Sequence, residues 1–347
     1  MKSLKDYSLN ITEQEYHDYP AWSHSLIASY AMDGFKAIAT IHNKKEPTDS
    51  MRFGSLLDAI LTKGKAVFDE YIVGDITCPP AERKVFDYLI KNGIRIPFGD
   101  IPVTTIEQAM NDCEFYMRNK PDVRLNKLIT ASEYYEITRT GKTVVSSSDW
   151  DDAMTMARKF RESPYLKTLF GIKNGNGIEY IYQAKYVVDY TLPSGRTIKY
   201  KVMPDLTVIN HNDKTIQLVD LKTSAMPAFD FWENFLKYRY DIEAHSYSDV
   251  IEQIKNSDEK LRDYTILPYL FTDISRSDKQ PVTWFYDQTS DEFADGFQFH
   301  VGEKVYKYKT WQKMLDEILD YEESQAVVPD GIETEAPNDI MAVINRD

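Results

Sequence analysis

Cysteine is almost absent from this chain. Cys78 and Cys113 are the 2 cysteines among 347 residues. They cannot form a disulfide framework or a four-thiolate metal site, so an iron–sulfur cluster is excluded. Each reads as a small buried hydrophobe. Long apolar runs are missing as well. No stretch reaches the roughly 18 apolar residues that a membrane-spanning helix needs. The opening MKSLKDYSLNITEQEYHDYP has no apolar core and does not read as a signal peptide. There is no glycine-rich phosphate loop, no repeat at a fixed period and no recognisable base-reading module such as a helix-turn-helix. These absences predict a protein of a reducing cytoplasm with no membrane partner.

Positive charge is also scarce. Lys and Arg number 41 against 55 Asp and Glu, a net charge of −14. A uniformly basic surface that coats nucleic acid is therefore excluded. A nuclease is not, because a metal site needs only local carboxylates and a groove only local cations. Three basic clusters read first as solvated helix faces: Arg118, Lys120, Arg124 and Lys127; Arg158, Lys159 and Arg161; Lys304, Lys307, Lys309 and Lys313.

Apolar residues are plentiful. At 42% hydrophobic and 13% aromatic, the chain can build one elaborate domain or two smaller ones. The periodicity predicts an N-terminal helical part over 1–65, an insertion over 66–147, a core over 148–321 and a loosely ordered acidic tail over 322–347. Helices are expected from Ser23 to Phe35, from Ser50 to Leu61, and as one long helix from about Phe229 to Ile254. A last helix is expected from Glu303 to Tyr321. Strands are expected over 178–190, 197–209 and 215–223, joined as a meander, with another over Thr265–Phe271 and one near Val282–Tyr286.

The chain is organised around the hairpin formed by the last two strands of that meander. Asn210-His211-Asn212-Asp213-Lys214 is a polar run of turn formers between two apolar-alternating strands. Symmetric folding places Asp205 opposite Asp220. Asp220 and Lys222 then share one face, and Val219 and Leu221 the other. Cross-strand partners have Cβ atoms about 4.5–5.5 Å apart, where two carboxylates repel by about 3 kcal/mol at an effective dielectric near 20. A divalent cation would relieve that repulsion, and Lys222 part of it. An Asp-Leu-Lys triplet by itself is ordinary surface-hairpin sequence. Pro204, the hydrophobic strand around Asp220 and the helix that follows set this one apart.

Pro204-Asp205 followed by Asp220-Leu221-Lys222 resembles the motif of the PD-(D/E)xK nuclease superfamily. The surroundings are similar to its RecB-like branch, and within that to phage RecE-type exonucleases of the exodeoxyribonuclease VIII kind. Tyr16-His17 with Trp22-Ser23-His24-Ser25, the helix Arg52–Leu61, Glu179-Tyr180-Ile181-Tyr182, and Glu243-Ala244-His245-Ser246-Tyr247 carry this likeness over roughly residues 16–250. Asp58 stands where that branch usually has a metal-binding His, and Glu243 stands where it has Gln. The resemblance implies an α/β fold with a mixed central sheet flanked by helices and an N-terminal helical elaboration. It implies Mg²⁺ or Mn²⁺ held by Asp205, Asp220, the Leu221 carbonyl, Glu179 and Asp58, with Asp205, Asp220, Lys222 and Glu179 catalytic. It implies that Tyr247, Glu243, Tyr240, Ser23 and Ser25 line the path of a DNA strand. Partners implied are DNA, a single-strand annealing recombinase and further copies of the chain. An endonuclease on the same core, or an inactive binding module, are the other readings.

Overall fold

The computed structural model describes residues 3–41, 48–76, 78–170, 174–288, 296, 298–301 and 304–327. The chain divides into two compact units: Met1–Ser50 with Lys159–Asp347, and Met51–Arg158. The second unit is longer at both ends than the insertion expected over 66–147. The chain as a whole is mixed α/β.

In chain order the first unit opens with α1 (Glu13–Asp18), α2 (His24–Asp33) and α3 (Phe35–Ile41). Next come α4 (Asp49–Lys63), α5 (Val67–Glu70), β1 (Tyr71–Val73), α6 (Pro80–Lys91), α7 (Val103–Asp112), α8 (Pro121–Thr130), α9 (Ser132–Thr138), β2 (Thr143–Val145) and α10 (Ser147–Glu162). Proline starts α6 and α8, where its missing N–H costs nothing and its fixed φ suits the first turn. Val85, Phe86 and Leu89 of α6, Ile106 and Met110 of α7, Leu128 of α8 and Tyr135 of α9 form one buried cluster. Their three- and four-residue spacing explains why these segments are helices. Arg124 is not a solvated cation: it is buried and both its terminal nitrogens donate to Asn111 Oδ1 at 3.0 Å.

The first unit resumes with α11 (Pro164–Leu169), β3 (Ile178–Tyr182), β4 (Tyr186–Thr191), β5 (Thr197–Val202), β6 (Leu206–Asn210) and β7 (Thr215–Ser224). It continues through α12 (Phe231–Tyr238), α13 (Tyr240–Ser257), β8 (Thr265–Ile266), β9 (Tyr269–Ser275), β10 (Pro281–Tyr286), β11 (Gln298–Val301), β12 (Lys304–Lys307) and α14 (Trp311–Val327). The main sheet runs β10-β9-β7-β6-β3, with β8 also on β7. β7 and β9 are parallel and the other neighbours along that path antiparallel. One face carries Ile181, Ile209, Ile216, Leu218, Tyr269 and Phe271 into the main core beside Ile27 and Tyr30 of α2, Ile242, Val250 and Ile251 of α13, and Leu315 and Ile318 of α14. The other face holds the smaller cluster of Leu206, Val219 and Leu270.

The expected strands 178–190 and 197–209 are each broken in two. β3 pairs with β6, and β4 with β5, in one continuous register from Ile178↔Asn210 to Thr191↔Thr197. Between the two arms the ladder is carried by Gln183 N–H donating to the Asp205 carbonyl at 3.1 Å, with Gln183 at φ 48. Pro204 has no N–H to give, so the hairpin bends at Met203-Pro204-Asp205. The expected 265–271 strand is split at Pro268 for the same reason. The helix expected from Phe229 to Ile254 is broken at Arg239, which is left-handed at φ 54. The helix expected from Glu303 proves to be a strand over Lys304–Lys307 and then α14; Glu303 lies outside the described residues. Residues 322–327 of the expected tail are helical, and 328–347 lie outside the described residues.

The β4–β5 arm secures the N-terminal segment. Trp22 N–H donates to the Lys199 carbonyl at 2.9 Å, and Lys201 N–H to the Trp22 carbonyl at 2.8 Å. The buried Lys201 ammonium donates to the carbonyls of Tyr16, His17 and Tyr19 at 2.9, 2.8 and 2.9 Å. A cation is well placed at the carbonyl end of a helix, and here it ties α1 to the strand.

Candidate active site

The β6–β7 register runs from Asn210↔Thr215 to Leu206↔Val219, which brings Asp205 to the level of Asp220 as the hairpin reading expected. There the paired ladder ends. The Asp205 side chain takes the next position, with Leu221 N–H donating to Asp205 Oδ2 at 2.8 Å. In an extended strand the N–H and C=O of one residue point to the same side, so the Leu221 carbonyl also opens toward this break.

Asp220 and Lys222 lie on the helix-covered face, continuing the alternation of Ile216 and Leu218. Lys222 Nζ sits 2.7 Å from Asp220 Oδ2 and 2.8 Å from Glu243 Oε2. Glu243 comes from the first turn of α13, so the break at Arg239 fixes its approach. Arg239 Nε and Nη2 donate to the two oxygens of Asp241 at 2.8 and 2.9 Å, both residues being buried. That bidentate pair offsets the cost, about 1–2 kcal/mol, of a left-handed non-glycine residue.

Burial and the neighbouring Glu243 carboxylate push the Asp220 carboxyl up to about 7, against the pull of Lys222. Burial opposes the charge on Lys222, but Asp220 and Glu243 overcome it and hold the ammonium well above its ordinary range. Asp220 Oδ2 is buried and makes no hydrogen bond of good geometry despite its ion pair with Lys222. His24, the first residue of α2, places Nε2 at 3.9 Å from Glu243 Oε2. Burial first, then the Lys222 charge, pushes its imidazole down to about 3.

One expected site residue, Glu179, stands elsewhere. Glu179 is on the same sheet face as Asp205, but it pairs with Ile209. That is four residues along the ladder, about 13 Å at 3.3 Å per residue. Its carboxylate accepts from Ser3 Oγ at 2.6 Å and faces His211 Nε2 at 3.4 Å. It therefore belongs to a separate polar contact, not to the Asp205–Asp220 pair. Asp58 is on α4, in the second unit, whereas this cluster is built within the first. Tyr247 is buried and packs edge-on against His24 at 5.2 Å between ring centroids. Tyr240 is half-buried with Lys222 Nζ 4.4 Å from its ring centroid. Ser23 and Ser25 flank His24, their hydroxyls 3.0 Å apart.

Among the described residues no three Asp, Glu, His or Cys side chains converge as a metal cage. A smaller oxygen set stands at this break: the Asp205 carboxylate on the Leu221 N–H, the Leu221 carbonyl and the Asp220 carboxylate beside Lys222. Mg²⁺ needs no more than one or two protein carboxylates, since it keeps several waters. Three ionised carboxylates against one ammonium would leave a deficit that a doubly charged cation cancels. The buried Asp220 Oδ2, ion-paired with Lys222 but without a hydrogen bond of good geometry, is the atom such a cation would take. His24 and the direct Lys222–Glu243 contact are the features that sequence reasoning missed. Their signals were the Ser-His-Ser triplet and the Tyr240/Glu243/Tyr247 spacing of one helix stripe.

No family model matches this sequence, and no curated protein matches it.

Proposed function

We propose that this chain is a metal-dependent DNA exonuclease with a PD-(D/E)xK core, similar to the RecB-like branch and its phage RecE-type members. The observation that carries the reading is the juxtaposition at the β6–β7 break. Asp205 and Asp220 stand at one level, and Lys222 follows two residues later on the same face, bridged to Glu243. Asp205, Asp220 and the Leu221 carbonyl would hold Mg²⁺ or Mn²⁺. A cation of this kind acidifies bound water and neutralises charge on a phosphodiester under attack.

The protein's own groups supply the rest. Lys222, kept protonated by two carboxylates, is a donor. It can bind a non-bridging phosphate oxygen or orient a water, and once a ligand draws off one of its carboxylates it is free to turn toward the substrate. Glu243 holds that ammonium in place until then. His24, neutral beside Glu243, adds no charge to the deficit a cation would fill. Hydrolysis follows in one displacement, water adding to phosphorus as the leaving oxygen departs and takes up a proton. The scattered cations of an acidic chain suit a strand threaded from an end better than a grip on internal duplex sites. A single-strand annealing recombinase and self-association remain proposals drawn from the resemblance.

The test is cleavage of linear and covalently closed DNA side by side, with Mg²⁺ and with EDTA. Progressive loss of the linear form, abolished by EDTA and by Asp205→Ala or Asp220→Ala, is expected, while the closed circle persists. Discrete fragments from the circle would make the chain an endonuclease. Tight DNA binding without cleavage would make it a binding module.

A further inference from the structure

The contacts of Lys222 continue outward through two aromatic rings. The ammonium lies over the Tyr240 ring, and the Tyr240 centroid is 5.9 Å from that of Tyr238 at an interplanar angle of 33°. Tyr238 is 41% exposed, and the Nζ of exposed Lys237 lies 5.0 Å from its centroid. Side chains two positions apart on a continuous helix do not face each other. These two do because Arg239 between them is left-handed and locked to Asp241. A buried ion pair and a strained residue therefore hold an exposed ring beside the candidate centre. Such strain tends to collect where it serves a site.

We propose that Tyr238 is a stacking platform for an unpaired base of the substrate strand. This rests on the nuclease reading and narrows it: the centre is fed with single-stranded DNA. An exposed ring carrying a long, flexible ammonium is a poor end-point for packing but a good receiver for a base. The base takes the ring face, and Lys237 moves from the ring onto the adjoining phosphate. Stacking on an aromatic face tolerates any base, which suits an enzyme that must pass every sequence. Tyr240 then connects the platform to Lys222, where the phosphate is cut.

Binding and cleavage are measured separately. In EDTA, a fluorescein-labelled oligothymidylate of about 15 nucleotides and a blunt duplex of the same length are titrated with wild type, Tyr238→Ala, Tyr238→Phe and Lys237→Gln. Tyr238→Ala should weaken oligothymidylate binding about tenfold and leave the duplex unchanged. Tyr238→Phe should bind like wild type. Lys237→Gln should make the log affinity against log salt slope shallower by about 0.7. Oligothymidylate affinity unchanged in Tyr238→Ala, equal losses on both DNAs, or no binding by wild type overturns the platform. If wild type binds in this Tyr238-dependent way but never cleaves linear DNA in Mg²⁺, the platform stands and the nuclease reading falls. If wild type cleaves and Tyr238→Ala binds and cleaves as well as wild type, the nuclease reading stands and the platform falls.

Discussion

Replacing Lys222 by Met would remove an ammonium that stands 2.7 and 2.8 Å from two carboxylates. Those side chains are 5% and 4% exposed and the lysine 18%. Breaking a buried pair by deleting one partner typically costs about 3–5 kcal/mol, because the remaining charge has neither water nor a counterion. The residual exposure of Lys222 points to the lower end, about 3 kcal/mol. Met keeps the length of the aliphatic stem and removes the Nζ, which lies 4.4 Å from the Tyr240 ring centroid and 5.9 Å from that of Phe271, so the change reports the charge. The measurement is urea unfolding in EDTA at neutral pH for wild type, Lys222→Met, Glu243→Gln and the double variant. Glu243→Gln should cost less, since Lys222 keeps Asp220. The double variant should be more stable than Lys222→Met, because one unpaired carboxylate has gone. The coupling between the two positions should be about 1–3 kcal/mol, as for residues of one ionic network. A Lys222→Met protein within about 0.5 kcal/mol of wild type, the scatter of ordinary surface changes, would refute the reasoning: the lysine would then be solvated, and the paired geometry of the site would not hold.

Asp249 accepts from Trp311 Nε1 and Gln312 Nε2, both at 2.8 Å, and burial pushes its carboxyl up to about 6. The folded chain therefore binds this proton more tightly than the unfolded chain, whose Asp titrates near 3.9. Stability should fall as pH rises from about 4 to about 6, by up to about 3 kcal/mol from this group; Asp249→Asn should flatten that part of a pH-stability curve, and an unaltered curve refutes the assignment. Glu179→Gln should leave the Mg²⁺ concentration required for cleavage unchanged, because its carboxylate faces Ser3 and His211; a raised requirement would return it to the metal site. Lys201→Met should strand three carbonyls at a cost on the order of 3 kcal/mol and speed amide exchange over residues 16–22, and protection equal to wild type there would show the clamp to be dispensable.

The hairpin was readable because alternation and a polar turn leave little freedom in register, and a slip of one residue would have turned Asp220 out of the core face. Glu179 was assigned to the metal through the resemblance alone, and its pairing with Ile209 sets it four residues along the ladder from Asp205. The break between α12 and α13 left no mark that periodicity can detect: Arg239 is neither glycine nor proline, and its left-handed backbone is maintained by Asp241, a tertiary effect. Glu243 was noticed as a departure from the Gln of the resembling branch, yet its bond to Lys222 needed the helix angle to become visible. Lys304–Lys307 read as a helix start because four residues carry too little pattern to separate the two periods.

The interruption of the first unit by Met51–Arg158 has a consequence for how the protein is made. Ile27 and Tyr30 share a core with Ile251, Leu315 and Ile318, residues that leave the ribosome more than 200 positions later. At about 5–20 residues per second, translation takes on the order of 10–60 s to deliver those partners. Helices as short as α2 are not stable alone, so the N-terminal segment stays unfolded while the contiguous second unit emerges and closes its own cluster. The first unit can be completed only after Ile318 has emerged. Its early aromatic and apolar residues, Tyr16, Trp22, Ile27 and Tyr30 among them, are thus the ones a nascent-chain chaperone would meet.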